Sequence, residues 1–293
     1  GLLSRAAMEF LKTSDFKPDI VHANDWHTGF LINYMRTHYR DNPVFKKIAT
    51  LFSVHNLHQG NFDFAHASDL DFDDGKSPLA GFYEDRFYKQ NALKRGVIYA
   101  DFVNTVSKTF AFEITKEEYG RGLHNLFKEL RGKTFGILNG LDYNEFNPAT
   151  DKLIKKNYSS GNYSARLENK KELQKEFGLD VDETKPLVCF WGRLDQQKGI
   201  NLIINTIKFL LDEFDIQFVI HGPSGDENYN HFFEQLEKDY PGRVGTHLMW
   251  DSFLRHKIAS GADILLHPSS YEPGGIVAME AMRYGCVPVA RAT

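Results

Sequence analysis

Short apolar runs alternate with amphipathic segments along the second half of the chain. The apolar runs have the length of strands and fall at residues 187–192, 216–222, 245–250, 263–267 and 287–290. Between them, apolar positions recur with helical spacing at about 199–213, 227–239, 251–260 and 275–284. Strands that alternate with helices form parallel βαβ units. We therefore expect an α/β domain built on a doubly wound parallel sheet.

The first half of the chain shows the same alternation less regularly. Strand patterns fall at 19–23, 47–54, 102–106 and 134–138, and helical patterns at 26–40, about 82–95 and 107–118, with a polar loop at 55–80. These elements predict a second α/β domain. Residues 141–185 interrupt the alternation, and we interpret them as a domain connection followed by a helix. The predicted domains are therefore residues 1–145 and 146–293.

The pattern also predicts that both domains are incomplete. The first half starts with a helix instead of a strand and a glycine-rich turn, and the last strand, 287–290, ends within three residues of the terminus. A further helix normally covers such a strand. We therefore expect the sequence to be truncated at both ends.

Composition narrows the class of protein without changing the predicted fold. The chain has 293 residues, of which 42% are hydrophobic and 25% charged, enough for about two globular domains. The net charge of −4 argues against a nucleic-acid partner. No apolar run approaches the roughly 18 residues that span a membrane, so no membrane partner is expected. The two cysteines, Cys189 and Cys286, do not suggest a disulfide scaffold, and a reducing cytoplasm fits them.

The strand at 263–267 leads into a turn that is suited to gripping a ligand. Glu272 lies in this turn and can accept hydrogen bonds from sugar hydroxyls, while Gly274 and Gly275 leave the backbone N–H groups open to a ligand. A helix follows, with Ile276 at its start and a second carboxylate, Glu280, inside it. The alternative is that Glu272 only neighbours a helix start and that Glu280 is a surface residue.

The strand at 187–192 ends in a turn with two cations. Arg193 and Lys198 follow this strand and precede the next helix, beside Gly192 and Gly199. A helix N-terminus, its free N–H groups and two cations together favour a phosphate. The alternative is that Arg193 and Lys198 are only surface charges, as an isolated Arg/Lys pair usually is. Their position at the carboxyl edge of the sheet favours a phosphate site instead.

Three polar residues follow strands of the first half. Asp25 could accept sugar hydroxyls beside Trp26, which could stack on a sugar ring or pack in the core. His55 emerges directly from a strand, and Asn139 lies in an Asn-Gly turn near the domain junction. Either could contact substrate, or His55 could be structural and Asn139 could only form the turn.

No metal site or cofactor is expected. His22, Asp25 and His27 lie close together in sequence but give too few ligands for zinc. The acidic run at 69–74 lacks the glycine and the final glutamate that an EF-hand loop needs.

In type and order, these motifs resemble those of the bacterial glycogen synthases, which are retaining glycosyltransferases. The resemblance extends from about Asp19 to the last residue and includes the stretches 103–107 and 147–151. It implies two Rossmann-like domains in the GT-B fold, with the active site in the cleft between them. It also implies transfer of glucose from ADP-glucose to the non-reducing end of an α-1,4-glucan acceptor, with retention at the anomeric carbon.

The resemblance implies roles for the residues that match its motifs. Arg193 and Lys198 would hold the donor diphosphate and stabilise the leaving ADP. Glu272 and the backbone of Gly275 and Ile276 would hold the glucose and phosphate. Retention would follow a same-face mechanism, in which a phosphate oxygen helps to deprotonate the acceptor; the alternative is that Glu272 acts as a covalent nucleophile.

In the first domain, the resemblance implies that His55 binds a glucose hydroxyl near the reacting carbon. Asp25 and Asn139 would contact substrate in the cleft. No metal is required if the two cations of the second domain stabilise the departing phosphate.

The sequence departs from the glycogen synthases at several positions. Gly274 stands where they usually have cysteine, Ile276 where they have leucine, and Glu280 where they usually have no glutamate. Glu280 is typical of a broader retaining family that includes sucrose synthases, so a transferase using a UDP- or GDP-sugar is an alternative. A UDP-sugar epimerase of the same architecture and a non-catalytic binding fragment are others.

Two loops of the glycogen synthases are absent from the sequence. These are an N-terminal Lys-x-Gly-Gly-Leu loop and a Thr-Gly-Gly loop expected just after Thr293. We therefore expect that this chain alone does not polymerise glucan at a normal rate.

Overall fold

The structure, a computed structural model, describes residues 1–63 and 89–293. The chain forms two compact units, Gly1–Asn139 (unit 1) and Gly140–Thr293 (unit 2). None of the helices in these described ranges is long and apolar enough to cross a membrane.

Unit 1 is built on a four-stranded parallel sheet. Its strands lie in the order β1-β2-β5-β6, so the described chain adds each new strand on the same side. In chain order the elements are α1 Leu2–Thr13, β1 Ile20–Asn24, α2 Asp25–Arg36, β2 Ala49–Val54, β3 Asn61–Asp63, β4 Lys89–Asn91, α3 Ala92–Tyr99, β5 Phe102–Thr105, α4 Lys108–Glu113, α5 His124–Glu129 and β6 Thr134–Gly136. Strands β3 and β4 pair separately as an antiparallel ribbon.

The helices of unit 1 pack closely on one another. A Cβ atom at Gly29 in α2 would lie 1.8 Å from the carbonyl oxygen of Ala92 in α3, so only glycine permits this approach. Phe30 and Tyr34 of α2 are buried with Met8 of α1 in one apolar cluster. This packing fixes the helix that begins immediately after β1.

Unit 2 is built on a five-stranded parallel sheet. Its elements are α6 Arg166–Glu176, β7 Leu187–Trp191, α7 Ile200–Glu213, β8 Gln217–His221, α8 Glu227–Asp239, β9 Val244–His247, α9 Leu254–Gly261, β10 Ile264–His267, α10 Ile276–Arg283 and β11 Val287–Ala290. The strands lie in the order β11-β10-β7-β8-β9. The chain builds the sheet outward from β7 to β9, then returns to the other side of β7 for β10 and β11. The expected doubly wound sheet is therefore confirmed for unit 2.

The central strands of unit 2 are buried on both faces. Alternate residues of β7 enter different apolar clusters, with Leu187 and Cys189 on one face and Val188 and Phe190 on the other. This period of two explains why the strand is a continuous apolar run. Cys189 and Cys286 are both buried free thiols.

Several helix boundaries differ from the predicted ones. The helix predicted at 26–40 ends at Arg36, and the one predicted at 107–118 ends at Glu113. Residues 82–88 of the helix predicted at 82–95 lie outside the described residues. Residues 89–91 form β4, and the helix α3 that follows begins at Ala92 because the Asn91 side chain caps it by accepting the N–H of Lys94.

Several predicted strands are also shorter than expected, and the short elements β3 and α5 were not predicted. The strand predicted at 134–138 ends at Gly136, and the one predicted at 245–250 ends at His247. Within the predicted loop 55–80, β3 is a strand and residues 64–80 lie outside the described residues.

Candidate active site

The reversal of strand order in unit 2 lies between β7 and β10. Ligands of doubly wound sheets bind at such a switch point, outside the carboxyl ends of the strands. Arg193 and Lys198 follow β7, and Glu272 follows β10. The fold therefore brings the two cations and the carboxylate to one crevice.

The loops after β7 and β10 are locked together. The backbone N–H of Ser270 donates to the carbonyl oxygen of Gln197 at 2.8 Å. Gly199 has a φ of +73°, and a Cβ there would lie 2.2 Å from the carbonyl oxygen of Pro268. Only glycine tolerates both conditions, so the start of α7 can press directly against the loop after β10.

Glu272 is the most strongly contacted carboxylate of this crevice. The ammonium Nζ of Lys198 donates to its Oε2 at 2.6 Å, and the Ser269 hydroxyl donates to the same atom at 2.9 Å. The Nε2 of His267 lies 3.2 Å from that oxygen. Burial acts to raise the pKa of Glu272, but His267 and the charge of Lys198 outweigh it and hold this pKa at about 2. Glu272 is therefore ionised at neutral pH.

Arg193 is the more exposed of the two cations. Its guanidinium lies 3.3 Å from Asp195 Oδ2 and donates to Gln197 Oε1 at 3.2 Å, with a side-chain exposure of 48%. The other Asp195 oxygen accepts the backbone N–H of Lys198 at 3.0 Å. Asp195 thus shapes the turn that carries both cations.

The glycines after Glu272 shape the start of α10. Gly275 has a φ of +65° and precedes Ile276, the first residue of the helix. Gly274 is half-buried beside it. The first N–H groups of a helix have no partner within the helix, so this turn offers donors to an anion near Glu272.

Glu280 has protein partners instead of an open position. Its carboxylate is buried and accepts hydrogen bonds from Trp191 Nε1 at 3.4 Å and from Arg255 Nη1 at 3.3 Å. Burial raises the pKa of Glu280. Arg255 also pairs with Glu145 at 2.7 Å. In the described structure Glu280 therefore links α10 to β7 and α9, and its contact with substrate stays a prediction.

In unit 1, Asp25 and His55 meet at the carboxyl ends of the neighbouring strands β1 and β2. Asp25 Oδ1 accepts the backbone N–H of His55 at 2.8 Å, and the His55 Nε2 lies 3.0 Å from Asn24 Oδ1. Asp25 has a φ of +56°, a conformation that non-glycine residues adopt rarely and mostly where the surroundings impose it. The His55 ring is exposed while its backbone is anchored.

Trp26 packs against other residues of unit 1, which agrees with the alternative that it belongs to the core. Its ring packs under Gly60, where a Cβ would lie 2.3 Å from Trp26 Cε3, and it borders the apolar cluster of unit 1. It also stacks on His27 with ring centroids 4.0 Å apart. Asn139 is half-buried in the segment after β6 and is the last residue of unit 1; the structure assigns no turn to residues 137–140, where the Asn-Gly turn was predicted.

Sequence reasoning missed an exposed aromatic residue at the sheet edge of unit 2. Trp250 is 72% exposed, and it lies in the loop after β9, where the sequence suggested a strand. The His221 ring anchors this loop, with Nδ1 3.1 Å from His247 O and Nε2 3.0 Å from Asp251 O. The polar residues that follow Trp250 were the one signal in the sequence that the strand ends early.

Among the described residues, no three histidine, cysteine or carboxylate side chains are grouped as metal ligands would be.

Comparisons with known proteins cover almost the whole chain. Residues 1–129 match the family model described as starch synthase catalytic domain, and residues 170–293 match glycosyl transferases group 1. A glycogen synthase of Thermotoga petrophila is 42% identical over 290 residues, and one of Clostridium beijerinckii is 38% identical over 308 aligned residues. These alignments cover 98% and 100% of this chain. Almost the whole chain is therefore similar to members of the glycogen and starch synthase family.

The chain spans only part of its relatives in this family. It covers 59% of the Thermotoga petrophila protein and 61% of the Clostridium beijerinckii protein. The catalytic domain of starch synthase IV from Arabidopsis thaliana, bound to ADP and acarbose, superposes with a TM-score of 0.91 at 34% identity. That match covers 99% of this chain and 60% of the starch synthase chain.

Sucrose-phosphate synthase from Thermosynechococcus elongatus shares the fold alone, with a TM-score of 0.57 at 20% identity. The expected GT-B fold with Rossmann-like α/β domains is confirmed.

Proposed function

We propose that this protein is a retaining glucosyltransferase that moves glucose from ADP-glucose to the non-reducing end of an α-1,4-glucan. One observation carries the proposal. The ion pair of Lys198 and Glu272 lies at the switch point of unit 2, with Arg193 on the same turn as Lys198. A diphosphate sugar needs cations for its phosphates and a carboxylate for its hydroxyls, and this crevice holds both.

Lys198 and Arg193 would stabilise the leaving group. Breaking the glycosidic bond of a sugar nucleotide places negative charge on the departing diphosphate. Preorganised cations aimed at that charge lower the barrier. The Lys198 ammonium has three N–H donors and uses one on Glu272, so two remain for phosphate oxygens. Arg193 adds a planar guanidinium that suits a phosphate.

Glu272 would bind the sugar and not act as the nucleophile. Its pKa of about 2 keeps it ionised, so it only accepts hydrogen bonds at neutral pH. The same contacts that stabilise the carboxylate make it a weaker nucleophile. This supports a same-face mechanism, in which a phosphate oxygen of the donor takes the acceptor proton and the anomeric configuration is retained.

Trp250 would form a platform for the nucleotide base. It is exposed and follows β9, two strands away from β7 at the carboxyl end of the sheet, and the His221 ring nitrogens lie 3.1 Å and 3.0 Å from the carbonyl oxygens of His247 and Asp251 on either side of it. Stacking of a base on an aromatic ring contributes about 1–3 kcal/mol. The presence of ADP in the similar starch synthase IV supports ADP-glucose as the donor.

Other parts of the proposal rest on the matching motifs. His55 and Asp25 would contact the glucose or the acceptor. Substrate contacts are also proposed, as the motifs predict, for Asn139, Gly274, Gly275, Ile276 and Glu280. The glucan acceptor, a cytoplasmic location, and the absence of nucleic-acid and membrane partners also belong to this proposal.

Titration calorimetry with ADP, ADP-glucose and UDP-glucose tests the proposal. We expect ADP and ADP-glucose to bind, and Lys198→Ala to weaken both at least tenfold, since a charge-assisted hydrogen bond is worth about 1.5–3 kcal/mol. Lys208→Ala is the matched control, because Lys208 is an exposed lysine of α7 that pairs with Asp239.

Two results would contradict the proposal. Tight binding of UDP-glucose alone would favour a UDP-sugar transferase or an epimerase. Unchanged ADP affinity in Lys198→Ala would show that the phosphate site is wrongly placed.

A further inference from the structure

The contacts of the Glu272 carboxylate fall on one of its two oxygens. Lys198 and Ser269 donate to Oε2, and His267 Nε2 lies 3.2 Å from the same atom. Every contact that the described structure gives to this carboxylate falls on Oε2. A carboxylate offers acceptor sites on both oxygens, so Oε1 keeps its full acceptor capacity.

His267 and Ser269 are part of the rigid base of the crevice. They are 5% and 1% exposed, and His267 is the last residue of β10. The His267 Nε2 is buried and has no well-directed hydrogen bond within the described residues. A buried ring nitrogen without a good partner is costly, so its approach to Glu272 needs an explanation beyond packing.

We infer that His267, with Ser269, is a positioning residue that holds Glu272 Oε2 and thereby directs Oε1 to the hexosyl group of the donor. The inference rests on the proposed function, because it assigns the sugar contact to one oxygen of Glu272. Without these two contacts, the carboxylate can rotate about its Cγ–Cδ bond while one oxygen stays paired with Lys198, and its second oxygen then turns away from the sugar. The sugar then loses an oriented acceptor while the nucleotide keeps its own contacts.

This role affects the sugar half of the donor and not the nucleotide. Replacing His267 should therefore weaken ADP-glucose binding much more than ADP binding. A merely structural role would weaken both ligands together, because both depend on the loops that β7 and β10 carry. The ratio of the two dissociation constants separates the two roles.

The experiment uses two amide replacements of the same residue. In His267→Gln the side-chain amide reaches the place of the imidazole Nε2, whereas in His267→Asn it reaches only that of Nδ1. Calorimetry with ADP and with ADP-glucose should show about a tenfold loss of ADP-glucose affinity in His267→Asn, with ADP affinity within twofold of wild type. His267→Gln should recover most of that loss. Ser269→Ala, a smaller change, should lose a few-fold for ADP-glucose alone.

Equal losses for ADP and ADP-glucose in folded His267→Asn and Ser269→Ala would overturn the inference and leave the proposed function intact. A His267→Gln variant no better than His267→Asn would also overturn it, since the Nε2 donor would then be irrelevant. Wild-type protein that binds neither ligand would instead remove the proposed function itself. Thermal melts confirm that each variant is folded before it is titrated.

Discussion

Replacing Glu272 by glutamine should reveal how strongly the crevice holds a negative charge. At an effective dielectric constant of about 20, the 2.6 Å separation from Lys198 gives a Coulomb attraction of at most about 6 kcal/mol. Burial opposes this attraction by raising the pKa of Glu272, and the neighbouring His267 lowers that pKa together with Lys198. The net effect is a pKa lowered from 4.5 to about 2, which corresponds to about 3 kcal/mol. Glutamine keeps the shape and removes the charge.

The stability that this charge contributes should depend on pH in a defined direction. The pKa of Glu272 is lower in the folded protein than in the unfolded chain, so the contribution is complete above about pH 4.5 and is lost as the pH falls towards 2. The difference in unfolding free energy between wild type and Glu272→Gln should be about 3 kcal/mol at pH 7 and about 1.5 kcal/mol at pH 3.

Urea unfolding of both proteins at pH 7, 5, 4 and 3, followed by a probe in unit 2, measures this difference. Glu213→Gln, at an exposed carboxylate of α7, is the control and should change the unfolding free energy by less than about 0.5 kcal/mol at each pH. A gap between wild type and Glu272→Gln that is the same at pH 7 and pH 3 would refute the reasoning, as would a Gln variant as stable as wild type at pH 7.

Two further predictions concern the base platform and the junction of the loops. Trp250→Ala should weaken ADP binding by about 1–3 kcal/mol in calorimetry, whereas Phe253→Ala, which is also exposed in that loop, should stay within twofold; equal losses would argue against stacking on Trp250. Gly199→Ala should lower the unfolding free energy by more than about 2 kcal/mol, because it combines a left-handed φ with a clash on Pro268. Gly225→Ala, whose Cβ would meet nothing within 4 Å, should cost less than about 1 kcal/mol, and similar losses in both variants would contradict the packing argument.

Regular helices and central strands were predictable because their signal is local. In α7, the buried residues Ile203, Ile207 and Leu211 recur every four positions, and the helix ends where it was predicted to end. The strand β7 is a continuous apolar run because it is buried on both faces. Each of these patterns is present within about a dozen neighbouring residues.

Boundaries set by single contacts were not predictable in this way. Asn91 begins α3 by capping it, and the apolar pattern upstream gives no sign of that cap. The loop after β9 was mistaken for strand because Met249 and Trp250 are apolar, although both are largely exposed. An apolar residue reports burial only when the rest of the fold covers it.

The sequence by itself determined the alternation of strands and helices, the two-domain α/β class, and the polar residues that follow each strand. These properties depend on residues close together in the chain. Only the tertiary structure decided which of those polar residues meet. Lys198 and Glu272 are 74 residues apart and become an ion pair because the strand order reverses between β7 and β10. Only the structure showed that Lys198 and Ser269 donate to one oxygen of Glu272 and that His267 Nε2 lies 3.2 Å from the same atom, because such contacts are set by packed side chains and leave no periodic trace in the sequence.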